Sequence, residues 1–125
     1  MSEVTIALLD AIQDAFNRQD VEGILSYFAD DCEWLMARGP TAPVGRRCVG
    51  KAEIAEVLSA RFKILTDMRW EDMVHWIDGD RATSEWVVRG TCPDGSKMNL
   101  LGCDLWTFKG DKVTKKDTYW KTIEP

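Results

Sequence analysis

Three turn signals in the second half of the chain limit its fold more than any other feature. Asp78-Gly79-Asp80, Pro93-Asp94-Gly95 and Lys109-Gly110-Asp111 set glycine beside aspartate, the composition of tight hairpins. They separate four segments: Met68 to Ile77, Arg81 to Thr91, Lys97 to Phe108 and Lys112 to Ile123. Each alternates in polarity like a strand with one buried face. In the first segment Trp70, Val74 and Trp76 share a face with Asp72, and His75 lies opposite. In the second, Trp86 and Val88 share a face, with Val87 and Arg89 on the other. The half is an antiparallel meander.

The first half has helical spacing. Leu8, Leu9, Ile12, Ala15 and Phe16 make one apolar face, with Ser2 as its cap and Asn17-Arg18-Gln19 as its close. Asp20 caps a short helix carrying Val21, Ile24, Leu25 and Phe28, which Asp30-Asp31 ends in a solvated turn. Cys32 to Met36 reads as a short strand. Arg38 to Val49, with Gly39, Pro40, Pro43 and Gly45, reads as a loop. Ile54, Val57, Leu58 and Phe62 mark a third helix over Lys51 to Lys63. Helices first and a meander last predict an α+β domain, with helices on one face of a curved sheet. At 125 residues, residues 1–125 form a single domain with one core.

Composition removes several functions. The net charge is −5, so the chain lacks the basic field of a nucleic-acid binder. No apolar run reaches the length of a membrane span. Met1-Ser2-Glu3-Val4 has no signal-peptide pattern, so a cytoplasmic protein is expected. Cys32, Cys48, Cys92 and Cys103 contain no CxxC pair, and His75 is the only histidine. Free thiols and no metal site follow. A Ser-His-Asp mechanism could use only His75, and nothing in the sequence sets a nucleophile beside it. Gly45 to Lys51 fits GxxxxGK, but Ala52 stands where magnesium needs Ser or Thr. It reads as a loop entering a helix, with Gly50 as N-cap and no nucleotide cofactor. Lys109, Lys112, Lys115, Lys116 and Lys121 read as a solvated, lysine-blunted edge.

Six tryptophans suit either core packing or the wall of an apolar pocket. On the pocket reading Trp34, Trp70, Trp86, Trp106 and Trp120 line it, with Phe16, Met36, Phe62, Val88 and Thr118. Asp104 is the candidate catalytic residue. Alternation places Leu100, Gly102, Asp104 and Trp106 on one face, so the carboxyl meets aromatic rings, where desolvation suits it to proton transfer. Gly102 leaves room for a ligand. Partner acids or bases are His75, Tyr119 or Asp72. The alternative is an Asp held structurally by a Trp N–H or a backbone amide.

Several local patterns resemble the nuclear transport factor 2-like superfamily, especially its SnoaL-like branch. They are Asn17 to Leu25, Phe28 to Trp34, Val49 to Ile54, Asp78-Gly79-Asp80, Gly102 to Phe108, and Gly110 to Val113 leading to Asp117 to Trp120. The resemblance implies a cone-shaped α+β barrel: three N-terminal helices packed on a strongly curved, mainly antiparallel sheet around a pocket. It also implies a homodimer through the outer sheet face. Its members include ketosteroid isomerases, polyketide cyclases, epoxide hydrolases, dehydratases and binding proteins. The isomerase's oxyanion-stabilising Asp matches Asp104, whereas Ile12 and Met36 stand where it has Tyr and a basic Asp. The epoxide-hydrolase late-strand Asp falls on Thr118, and its Arg-x-Asp pair falls near Ser84 and Trp86. The implied activity is cofactor-independent lyase, isomerase or cyclase chemistry on a small apolar carbonyl compound of polyketide, steroid or terpenoid class. A non-catalytic ligand-binding or dimerisation module is the alternative. A third reading is a cone filled by its own tryptophans.

Overall fold

A computed structural model describes residues 3–125. Thr5 opens helix α1 (Ile6–Asn17): its hydroxyl accepts the Leu8 N–H at 3.0 Å. Ser2, the cap expected from sequence, lies outside the described residues. Asp20 caps α2 (Val21–Leu25) as expected, accepting the Gly23 N–H at 3.0 Å. Helix α3 (Gly50–Ile64) begins one residue off expectation, with Val49 in the N-cap place. The Glu53 carboxylate accepts the Val49 N–H at 2.9 Å. Gly50 takes φ +85°, a backbone that glycine adopts without strain.

The meander is present as β3 (Arg69–Asp78), β4 (Arg81–Thr91), β5 (Lys97–Lys109) and β6 (Lys112–Trp120), the last ending three residues short of Ile123. The region before α3 needs correction. Phe28 leaves α2 and starts β1 (Phe28–Thr41), which contains Asp30 and Asp31 as exposed strand residues rather than a turn. The expected loop is largely a hairpin, with β2 (Gly45–Val49) returning antiparallel along β1. Pro40 sits near the strand end and Pro43 in the turn, places that need no ladder N–H. The GxxxxGK segment is thus an edge strand running into α3.

The sheet order is β2-β1-β6-β5-β4-β3. Every pairing is antiparallel except β1 with β6. The curved sheet stays open, and the helices cover its inner face. Leu9, Ile12 and Phe16 of α1 and Ile54 and Leu58 of α3 are buried against Phe28, Trp34, Trp86, Val88 and Trp106. The Asn17 side chain accepts the Trp70 N–H at 2.8 Å and donates to the Trp70 carbonyl at 3.0 Å. That pair locks the end of α1 to the start of β3.

A β-bulge changes the reading of β3. Glu71 pairs with Val87 and Val74 with Glu85, so Asp72 and Met73 together oppose Trp86. Asp72 takes φ +57°. The extra residue reverses the alternation beyond it. Trp70 points inward, but His75 pairs with inward Ser84, and Trp76 pairs with Thr83 and is 60% exposed. Sequence alternation had put Trp76 with Trp70 and His75 opposite them.

Candidate functional site

β5 delivers Asp104 to the interior, with Trp106 two residues on, as alternation predicts. The register sets Asp104 beside Thr118 of β6 and Ser84 of β4, and Trp34 of β1 beside Lys116 of β6. These side chains close into one polar cluster inside the aromatic core. Asp104 is 1% exposed. Its Oδ1 accepts from the Thr118 hydroxyl at 2.6 Å and pairs with Lys116 Nζ at 3.0 Å. Its Oδ2 accepts from Trp86 Nε1 at 2.9 Å and from Gln13 Nε2 at 3.5 Å. Thr118 is saturated as well: its oxygen accepts from Trp34 Nε1 at 2.9 Å and from Lys116 Nζ at 3.0 Å. With both lone pairs engaged, its single proton points to Asp104. Every partner of the carboxylate is a donor, which suits an ionised acceptor rather than an acid offering its own proton.

Lys116 corrects the sequence reading. It is not on a solvated edge; it is 3% exposed, with Nζ 4.5 Å from the Trp34 ring, 5.0 Å from Phe16 and 5.6 Å from Trp106. Burial pushes its ammonium below the usual lysine range, while the adjacent Asp104 works in the opposite direction. Lys116 is two residues from Thr118, so alternation from that inward position would have found it. Gln13 and Arg61 are also missed by sequence. The half-buried Arg61 of α3 lies 5.1 Å over the Trp34 ring.

The expected pocket-lining residues divide in two. Phe16, Trp34, Phe62, Trp70, Trp86, Val88, Trp106 and Thr118 are buried together on the inner face, while Met36 and Trp120 are half-buried at its margin. The rings close around Asp104 and leave it out of contact with solvent. Gly102 leaves no room for a ligand: a Cβ there would lie 2.7 Å from Trp86 Cζ3, so its missing side chain admits the indole. A groove of about 1230 Å³ opens beside the cluster, lined by Met36, the β1–β2 hairpin, Asp117, Thr118 and Tyr119. Thr118 belongs to both groove and cluster. Of the suggested partners of Asp104, Tyr119 and Asp72 are exposed and make no bond to it.

A second chain of bonds runs outward. Trp106 Nε1 donates to Ser84 Oγ at 3.0 Å, Ser84 Oγ lies 2.7 Å from His75 Nδ1, and His75 Nε2 lies 2.9 Å from Asp10 Oδ1. The structure therefore does set a serine beside His75. Ser84 is 0% exposed, so no substrate can reach it as a nucleophile. All four cysteines are free. Among the described residues, no three His, Cys, Asp or Glu side chains gather as metal ligands. No helix among them is long and apolar enough to cross a membrane.

A profile of the SnoaL-like domain matches residues 9–116. The chain belongs to the SnoaL-like domain family. No curated protein matches it, but solved structures of the SnoaL-like fold do. A candidate polyketide cyclase of Xanthomonas campestris is 25% identical over 92% of this chain and 88% of its own, with a TM-score of 0.80. TerC, co-crystallised with polyporic acid, is 27% identical over 93% and 90%, with a TM-score of 0.77. A hypothetical protein of Catenulispora acidiphila with a ketosteroid isomerase-like fold, solved with trimethylamine, is 16% identical over 94% and 88%, with a TM-score of 0.80. The family match and the Xanthomonas relative support a family of cyclase type, and the Catenulispora likeness is one of fold.

Proposed function

We propose that this SnoaL-like protein is a cofactor-independent acid/base catalyst of lyase, isomerase or cyclase type. Its substrate is a small, mostly apolar carbonyl compound of polyketide, steroid or terpenoid class. The position of Thr118 carries the proposal: it lines the open groove and donates to Asp104 at 2.6 Å, with Lys116 at 3.0 Å. A substrate in the groove gives up the proton on the carbon beside its carbonyl. Thr118 takes that proton once Lys116 turns from its oxygen toward the substrate, passing its own proton to Asp104; Lys116 offsets the charge left on the substrate, and the proton returns to a different atom. Met36, which lines the groove with Thr118, contacts the substrate, and Trp34 backs the site from the core. TerC's crystallisation with polyporic acid supports a small organic ligand.

The test is solvent-deuterium incorporation into an apolar ketone such as 2-tetralone, followed by NMR. The wild-type protein is expected to accelerate exchange, and Asp104→Asn to abolish the acceleration while remaining folded. Equal rates in the two proteins would remove Asp104 from the chemistry.

The second reading, a non-catalytic binding module, is favoured by one observation: four donors already occupy the Asp104 oxygens. Ketone binding without exchange would select it. In both readings we propose a homodimer formed through the outer sheet face.

A further inference from the structure

The cluster has one charge too many. Asp104 and Lys116 neutralise each other at 3.0 Å, but Arg61 brings a second cation onto the same indole, 5.1 Å over Trp34. Among the described residues it has no carboxylate within 4.0 Å and no side-chain hydrogen bond; Arg38, Arg46 and Arg81 also lack an acidic partner but are exposed, whereas the equally half-buried Arg89 is paired with Glu71. The acidic groups that act on it through space are Asp104, already committed to Lys116, and the Cys48 thiol. Burial pulls its guanidinium down to about 10, so it stays charged at neutral pH. Partial burial of an uncompensated cation costs stability. No buried side-chain nitrogen among the described residues lacks a partner, so the unpaired donors of this planar fork reach solvent, where an oxyanion can meet them.

We propose that Arg61 binds an anionic oxygen, a carboxylate or ionised enol, of the small molecule this SnoaL-like protein takes. The inference rests on the proposed small-carbonyl reading and narrows its substrate class to organic acids. Arg61 makes the contact, and Trp34 holds the guanidinium plane in place. Bound anion brings the two cations and one carboxylate of the interior to neutrality.

Benzoate and its neutral isostere benzamide, titrated by tryptophan fluorescence and NMR shifts, test this without any turnover. Wild type is expected to prefer benzoate by about tenfold or more, the worth of a charge-assisted hydrogen bond. Arg61→Met keeps the apolar stem and should bring the ratio near one, with a melting temperature equal to or above wild type. That stability readout separates a binding group from a structural one. Equal wild-type affinities, or a preference kept by Arg61→Met, overturns the proposal. Should Arg61→Met fail to fold, Arg61→Lys decides: weaker benzoate binding supports the planar fork, and wild-type affinity overturns it. Asp104→Asn should keep at least the wild-type preference while losing deuterium exchange. Failed exchange with a retained preference sinks the catalytic reading alone, and exchange without a preference sinks the anion site alone.

Discussion

Asp104 and Lys116 are each nearly inaccessible, and losing the charge of either weakens the fold without abolishing it. Removing one partner of a buried pair leaves an uncompensated charge, at a typical cost of about 3–5 kcal/mol. Lys116→Met should therefore be strongly destabilising. Lys116→Met combined with Asp104→Leu should recover much of that loss, and urea unfolding of the four proteins in a double-mutant cycle measures the coupling. Thr118→Val should lower kcat far more than it changes KM, because only the hydroxyl links groove to carboxylate. An equal effect on both constants would place Thr118 in binding alone. Asp104 was legible from sequence because one acid stands in an apolar alternating strand. Lys116 was not, because four other lysines nearby make a solvated stripe the simpler reading. Arg61 was hidden for a different reason: it sits on α3 while its charged end lies on an indole from β1, a contact no local pattern encodes.

The decisive element is β3, whose bulge turns His75 inward and Trp76 out. Asp72 holds a left-handed backbone at φ +57°, so Asp72→Gly should be neutral or stabilising by a few tenths of a kcal/mol, read from thermal melts. Deleting Asp72 should leave the facing of the later residues intact. Met73 then opposes Trp86 and the Val74–Glu85, His75–Ser84 and Trp76–Thr83 pairings continue in unbroken alternation, so His75 should keep its bonds to Ser84 and Asp10, read from its imidazole NMR shifts. Period-two reasoning cannot see such a residue, since an aspartate in a strand carries no mark of its φ. The β1–β2 hairpin was lost similarly: Pro40, Pro43, Gly39 and Gly45 read as a loop because they are tolerated only near a sheet edge.

For the whole molecule, element order and layer arrangement were legible, because turn chemistry and apolar periodicity agree along most of the chain. The outer face was less so. Beyond the bulge, Val74, Trp76, Leu101, Leu105 and Tyr119 share one register and remain 41–60% exposed. A patch of this kind is a natural seat for a second copy. Trp76→Glu is expected to shift sedimentation from dimer to monomer, and an unchanged mass would count against the outer-face dimer. Cys103 lies on the same face, half-buried, with its thiol pushed up from 9.0 by burial first and by Asp104, Glu85 and Asp117 after it. Only the thiolate reacts, so modification by a thiol reagent should be slow at pH 7.5 and climb about tenfold per pH unit toward its raised value. It should run faster in the Trp76→Glu monomer.

The parallel seam between β1 and β6 has a bearing on biosynthesis. A ribosome releases β1 about seventy residues before β6, so over that stretch of translation one flank of the first strand has nothing to bond. Lys116 and Thr118 travel on the later partner, so the buried charge of Asp104 waits for its counterweight until that strand emerges.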